Sequence, residues 1–216
     1  VAVIGMKRLL IYAFDYIESD KLSLQSTIND IHFIWTLGVS KYLLTPEDVM
    51  IIGSVDLKGK ILPWKHRCFL DSKDYFHVVE EFLNKCEQLL VYFTGHGTQD
   101  GCILYGSDLY KRRMIELIPA NFLYGLQARQ TWIIADMCYS HLFTDLFSDQ
   151  HYPDITPTIF IPTSRDHPIV ISMPRGSIFT VELVRILLND EEHFFEWLDS
   201  KGYYHKSTDT LPFTSN

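Results

Sequence analysis

The sequence predicts an α/β sandwich on a mostly parallel sheet, and three observations carry that prediction. Five apolar runs of strand length lie along the chain: Leu9 to Phe14, Val49 to Ile52, Leu89 to Phe93, Trp132 to Ala135 and Thr158 to Ile161. They are continuous rather than alternating, as strands buried on both faces of a parallel sheet are. Between them lie stretches whose apolar residues return every three or four positions, the period of a helix with one buried face. Strands alternating with helices argue for parallel strands joined by right-handed crossovers. With 216 residues, 47% hydrophobic and 21% charged, the chain suits one globular domain with a sizeable core.

Taken in order, the first strand, LLIYAF, leads to a helix marked by Leu24, Ile28, Ile31 and Trp35. Thr45-Pro46-Glu47-Asp48 is a turn ahead of the second strand. A second helix carries Tyr75, Val78, Val79, Phe82 and Leu83, and runs into the strand LLVYF. Ile118-Pro119 introduces a helix expected near Ala120, before the strand WIIA. Tyr152 to Pro157 is a polar, proline-containing connection to the strand TIFI, and Ile178, Val181, Leu183, Val184 and Leu187 mark a last large helix. From Lys201 the tail is polar and expected to be irregular until Leu211-Pro212-Phe213, which is expected to add a short edge strand or to pack on the surface. No repeat or low-complexity segment interrupts this order.

Several function classes are disfavoured. The net charge is −8 and the only tight basic run is Lys111-Arg112-Arg113, so no nucleic-acid partner is expected. No apolar run approaches the ~18 residues needed to cross a bilayer, so no membrane partner is expected. The opening VAVIGMKRLLIYAF has its basic pair inside the apolar stretch, unlike a secretory signal. Cys68, Cys86, Cys102 and Cys138 are far apart, with no CxxC pair and no zinc spacing. A reduced, cytoplasmic setting is expected, with no cofactor and no metal.

Ligands of open parallel sheets bind outside the carboxyl ends of the strands, which directs attention to two places. LLVYF runs into Thr94-Gly95-His96-Gly97, and WIIA runs into Asp136-Met137-Cys138-Tyr139-Ser140. If these strands are neighbours, a histidine and a cysteine converge on one rim. A thiol is a nucleophile as its thiolate, and an imidazole can take and return the proton during acyl transfer. Glycines beside the histidine allow close backbone approach and leave the Gly97 N–H to join that of Cys138 as an oxyanion hole. Taken singly, a His after a strand is a turn residue and a Cys is a small buried hydrophobe. Their joint occurrence on consecutive apolar strands favours catalysis.

YFTGHG and IIADMCYS resemble the two signatures of the caspase-like cysteine peptidases, a hydrophobic run ending in His-Gly and one ending in Asp-x-Cys. The separation, from residue 96 to 138, is comparable with the ~50 residues of caspases. Within that group the chain is most similar to metacaspases: KRLLIYAFDY with LQSTINDIHFIWTLG, PEDVMIIGSVD and PTSRDHPIVISMPRGSIFTVELVRIL resemble their flanking segments, over roughly residues 7 to 188. The resemblance implies a caspase-like three-layer α/β/α sandwich around a mostly parallel six-stranded sheet. It implies one peptidase domain over residues 1–216, large-subunit-like over about 7–150 and small-subunit-like over about 151–216. It assigns Cys138 as nucleophile and His96 as general base and acid. It also implies an acidic pocket for a basic substrate residue, with Asp30 and Asp136 at its floor, Thr94 beside them, and Thr27 where many metacaspases carry a cysteine. Two carboxylates would hold Arg by paired hydrogen bonds or Lys by charge. Asp30 is equally readable as an acid near a helix N-terminus, whereas Asp136, after four apolar residues, needs a partner or a ligand.

The sequence also departs from that pattern. Metacaspases usually follow the nucleophile with His-Ser-Gly; here Tyr139-Ser140-His141 follows. Beyond the histidine, only Asp100, Asp108 and Glu116 stand where calcium-dependent members are acid-rich, a poor set for a cation needing six to eight oxygens, so calcium independence is expected. From Tyr139 to Ser164 there is no basic residue, so a basic-specific enzyme cannot cut itself there. Self-nicking, if any, is expected in a loop at Lys111-Arg112-Arg113, with Lys65 and Arg67 as weaker sites. The expected partner is a polypeptide with a basic residue before the cut, and the expected state is a monomer. The alternatives are an inactive caspase-like regulatory or binding module, and a clan relative of different specificity, for instance for Asn or Asp.

Overall fold

The computed structural model describes residues 6–16, 19, 21–53, 66–105, 110–113, 117, 130–142, 144, 157–205 and 210–213. In chain order they form β1 (Met6–Ala13), α1 (Ser26–Ser40), a 3-10 turn (Pro46–Asp48), β2 (Val49–Ile52), β3 (His66–Cys68), α2 (Tyr75–Phe82) and β4 (Cys86–Thr94). There follow β5 (Cys102–Tyr105), β6 (Tyr110–Arg113), β7 (Gln130–Asp136), β8 (Thr158–Ile161), β9 (Ser172–Met173), β10 (Gly176–Ser177), α3 (Ile178–Asn189), a second 3-10 turn (Glu191–His193), α4 (Phe194–Lys201) and β11 (Tyr204–His205). The helix expected near Ala120, together with Lys65, Asp108 and Glu116, lies outside the described residues.

The central sheet has the order β11-β8-β7-β4-β1-β2-β3. Six of its strands are parallel, and β11 adds an antiparallel edge of two residues against Phe160 and Ile161. All five apolar runs are strands. Each is buried on both faces because successive side chains feed two separate cores. Leu10, Tyr12, Leu89, Val91, Phe93, Ile133, Ala135, Ile159 and Ile161 pack with Val79 and Phe82 of α2 on one side. Leu9, Ile11, Leu90, Tyr92, Trp132, Ile134 and Phe160 pack on the other with Ile31, Ile34 and Leu37 of α1, Leu183 and Leu187 of α3, and Phe194 and Leu198 of α4. The result is a caspase-like three-layer sandwich.

Periodicity missed the short elements. β3 (HRC) and β11 are too brief to show a pattern, and exist because each has a partner strand to supply its hydrogen bonds. The edge strand of the tail forms at residues 204–205 rather than at Leu211-Pro212-Phe213. Phe213 instead closes the α1/α3 core, edge-on to Tyr42 at 4.9 Å and tilted against Trp132 at 5.8 Å. The basic run Lys111-Arg112-Arg113 is a strand paired with β5, not a loop.

Candidate active site

β4 and β7 run side by side with Thr94 opposite Asp136, and β1 places Ala13 beside Thr94. His96 and Cys138 follow two residues beyond that last pair, so the two signatures leave the same rim of adjacent strands. Their backbones abut: a Cβ on Gly97 would sit 2.0 Å from the Cys138 carbonyl oxygen. Glycine is therefore required at 97 by the approach of the loop that carries Cys138. Gly95 is enclosed similarly, since a Cβ there would lie 2.9 Å from the Tyr16 hydroxyl. Gly97 forms an antiparallel bridge with Ile103, whose bonds run from Leu104 N–H to the His96 carbonyl and from Thr98 N–H to the Cys102 carbonyl. Neither bond uses the Gly97 N–H, the group expected to face an oxyanion.

His96 is half-buried and held from two sides. Its Nε2 lies 2.7 Å from the Leu22 carbonyl oxygen. A carbonyl only accepts, so Nε2 carries the proton and Nδ1 is left as the acceptor. The His96 backbone N–H donates to the Tyr16 hydroxyl at 2.8 Å, and that hydroxyl donates to the Leu104 carbonyl at 2.8 Å. The Tyr16 ring also lies over the imidazole, with centroids 4.6 Å apart. Burial pushes the Tyr16 hydroxyl well above its ordinary pKa, so it stays a neutral donor. Neither support is legible in the sequence: the Leu22 contribution is a backbone atom, which leaves no trace in residue type, and Tyr16 lies beyond the predicted strand Leu9 to Phe14 with no local signal.

Cys138 is the only described cysteine that is not buried. The residue after it, Tyr139, adopts φ +59 without being glycine, a left-handed turn that costs ~1 kcal/mol or more. Neighbouring groups secure it. Tyr139 N–H donates to the Pro168 carbonyl at 2.7 Å, His141 N–H donates to the Thr163 hydroxyl at 2.8 Å, and the Ser140 and Thr163 hydroxyls bond at 2.8 Å. The Tyr-Ser-His sequence thus makes a turn without the glycine of the related pattern. From Pro168 the chain runs past exposed Ile169, Ile171 and Met173 to Gly176 and Ser177, presenting alternate apolar side chains.

Asp30, Thr94 and Asp136 meet on the α1/α3 side of the sheet. Trp132, Ile134 and Asp136 share one face by the two-residue period of β7, as do Leu90, Tyr92 and Thr94 on β4. Asp30 accepts the Ser177 N–H and hydroxyl, each at 2.7 Å, and the Thr94 hydroxyl at 3.1 Å. Asp136 Oδ2 accepts the Thr180 hydroxyl at 2.6 Å and the Thr180 N–H at 3.2 Å, while the Tyr92 hydroxyl bonds that of Thr180 at 2.6 Å. Both acids therefore serve the N-terminus of α3, whose own N-cap side chain makes no capping bond. Asp30 is five residues into α1 and is not an acid of that helix's first turn.

Asp136 Oδ1 is buried with no hydrogen-bond partner among the described residues. Burial raises the pKa of both carboxyls, and the Asp30 charge raises that of Asp136 further. Thr27, one turn before Asp30, is fully buried and gives its hydroxyl to the Phe14 carbonyl at 2.9 Å, so it braces the end of β1 rather than offering a free polar group. Ser177, Thr180 and Tyr92 were not singled out from sequence. A hydroxyl in the first turn of a helix reads as ordinary until the acid facing it is known.

The remaining candidates lie elsewhere in the fold. Arg112 donates to the Leu70 carbonyl at 2.9 Å and stacks over Tyr75 and Phe76, Lys111 lies 3.5 Å from the Asp100 carboxylate, and Arg113 is exposed. Asp100 also accepts the Thr98 hydroxyl. One cluster of metal-ligand type among the described residues, Asp190, Glu192 and His193, is fully exposed, and His193 is bonded to Asp190 at 2.5 Å.

No family model matches the chain, and no curated protein matches it. Among solved structures it is similar to caspase-1 from Spodoptera frugiperda, with a TM-score of 0.57 and 14% identity over 92% of this chain and 77% of that one. At that identity the likeness establishes a shared fold, the caspase-like sandwich.

Proposed function

We propose that the chain is a cysteine endopeptidase of metacaspase type that cleaves peptide bonds after Arg or Lys. The observation that carries this reading is the pair of buried acids, Asp30 and Asp136, the latter two residues before Cys138, where the hydrogen bonds of the described residues go to Asp136 Oδ2 and leave Oδ1 for a ligand. A buried carboxylate oxygen without a donor is costly, and a substrate guanidinium or ammonium would supply the donor and the charge.

In this mechanism the Leu22 carbonyl keeps the proton on His96 Nε2, and Nδ1 takes the thiol proton of Cys138. The thiolate adds to the scissile carbonyl, and the oxyanion receives the N–H groups of Gly97 and Cys138. The tetrahedral adduct collapses with loss of the amine, which takes the proton from the imidazolium, leaving a thioester on Cys138. Water, deprotonated by His96, then releases the acid and restores the thiol. The exposed edge at Ile169 to Met173 gives an extended peptide a surface to lie along between the nucleophile and the acid pair.

Calcium independence fits the engagement of Asp100 with Lys111 and Thr98. A single-chain active form fits the pairing of Lys111-Arg112-Arg113 within a hairpin, since a peptidase takes its substrate as a free extended strand. A monomer fits a sheet whose two edge strands are short, two residues in β11 and three in β3. The cytoplasmic setting rests on the four free thiols.

Fluorogenic peptides differing only at the residue before the cut test the proposal. Turnover of Arg and Lys peptides is expected, unaffected by chelator and absent in Cys138→Ala. A second reading, the inactive binding module, draws on the burial of the acid pair, at 0% and 3% exposure, as caps of α3. No turnover of any peptide in the panel selects it, and turnover confined to Asn or Asp peptides selects a clan relative. Intact mass of wild type against Cys138→Ala is expected to show no thiol-dependent cut.

A further inference from the structure

A second concave site lies outside the rim, between α1 and α3, where a groove of about 650 Å³ opens. That is within the range of small-molecule pockets, roughly 300 to 1,000 Å³. Its walls are apolar, with Phe33 from α1 and Val181, Val184 and Leu188 from α3. Two guanidiniums, Arg175 and Arg185, line it, and none of its lining residues is acidic. Among the described residues neither arginine has a carboxylate partner. Glu182, the one acid of α3, faces Trp197 and Lys201 instead, at 3.1 and 3.8 Å. On a chain of net charge −8, an apolar groove bearing two arginines and no acid is a local reversal of sign.

The groove shares a wall with the acid pair. A Cβ on Gly176 would lie 2.8 Å from Val181 Cγ2 and 3.4 Å from Phe33 Cε2, both groove residues, and 3.3 Å from Asp30 Oδ1. The glycine is thus the partition between the two sites, at φ +135, a backbone conformation that side-chain-bearing residues avoid. The same hairpin is tied to α1 by Asn29, which donates to the Pro174 carbonyl at 2.8 Å, and to Asp30 through Ser177.

We propose that this groove binds a small amphiphilic anion, an apolar body carrying one carboxylate, and that its occupancy is transmitted through Gly176 to Asp30. The apolar body lies against Phe33, Val181 and Leu188, and the carboxylate meets the arginine forks. The site is distinct from the peptidase reading and does not depend on it.

Titration with 8-anilinonaphthalene-1-sulfonate, an apolar ring system with one anionic group, tests the site, with dodecanoate as competitor. Saturable one-to-one binding is expected, displaced by dodecanoate and weakened by added salt. The double variant Arg175→Ala/Arg185→Ala is expected to weaken it about tenfold. Thr36→Trp, which fills the groove from its exposed rim, is expected to abolish it, and Leu188→Trp serves the same purpose should the first not fold; a cooperative melt identifies the folded variants. Binding unchanged in the double variant and in a folded groove-filling variant overturns the site. Transmission is read by NMR at the Ser177 amide, which donates to Asp30. Its resonance is expected to shift with dodecanoate in wild type and not in the groove-filled variant, and an unmoved resonance at saturating dodecanoate overturns the coupling.

Discussion

His96 and Cys138 stand two residues beyond Thr94 and Asp136 on the same two strands, yet the two levels of this rim are built on opposite terms. The outer level is half-exposed and ordered largely by main-chain atoms: the Leu22 carbonyl on the imidazole, the Pro168 carbonyl on Tyr139, and the Cys138 carbonyl against Gly97. The inner level is buried and ordered by hydroxyls and helix N–H groups on two acids. Half-exposed side chains such as those of His96 and Cys138 can be truncated at little cost to the fold. A buried acid pair weighs against the fold while both carboxyls are charged.

The sharpest way to break this contrast is at Cys138, the proposed nucleophile. Cys138→Ala is expected to lower turnover by about 10⁴-fold or more while the melt stays within ~0.5 kcal/mol of wild type. An equally large loss of stability would place Cys138 with the structural cysteines. Gly97→Ala comes next, because its methyl would occupy the Cys138 carbonyl's position and drive the two loops apart. Steady-state kinetics are expected to show a loss of roughly 10²- to 10³-fold, through displacement of the proposed oxyanion donor.

Asp136→Asn probes the inner level, and there activity and stability are expected to move in opposite directions. Turnover of Arg peptides falls by about 10²-fold, since the amide brings no charge to the substrate cation. The wild-type acid has a raised folded pKa, so it binds its proton more tightly folded than unfolded. Its support of the fold is complete below the ordinary carboxylate range and is lost as pH climbs to about 7. Thermal melts should therefore find Asp136→Asn more stable than wild type above pH 7, with the difference vanishing towards pH 4. A variant less stable than wild type at pH 8 would show that capping α3 outweighs the buried charge. The smallest effect is expected for Tyr16→Phe, which keeps the ring on His96 but removes the hydroxyl between His96 N–H and the Leu104 carbonyl. About tenfold lower kcat with KM unchanged, and ~1 to 2 kcal/mol lost from the melt, mark it as a positioning residue.

The five strands of the sheet's interior were legible because burial on both faces demands continuous apolar runs. α1, α2 and α3 were legible because one buried face leaves a helical period. β3, β9, β10 and β11 were not, because strands of two or three residues take their identity from a partner rather than from composition. At the site, Asp30, Thr94 and Asp136 were named from the sequence and the fold brings them together, whereas Thr27 turns its hydroxyl to Phe14. Ser177, Thr180 and the Leu22 carbonyl had no local signal, since each matters only for what lies opposite.

By itself, then, the sequence determined the layers, the two strands that carry His96 and Cys138, and the acid at the end of one of them, because burial period and strand termini are local properties of the chain. Tertiary structure alone decided that Gly97 must be glycine, that His96 bears its proton on Nε2, and that both acids cap α3 with one oxygen left over. Those depend on contacts between residues far apart in sequence, from Leu22 with His96 to Asp30 with Ser177, and only the closed fold brings such pairs within a hydrogen bond.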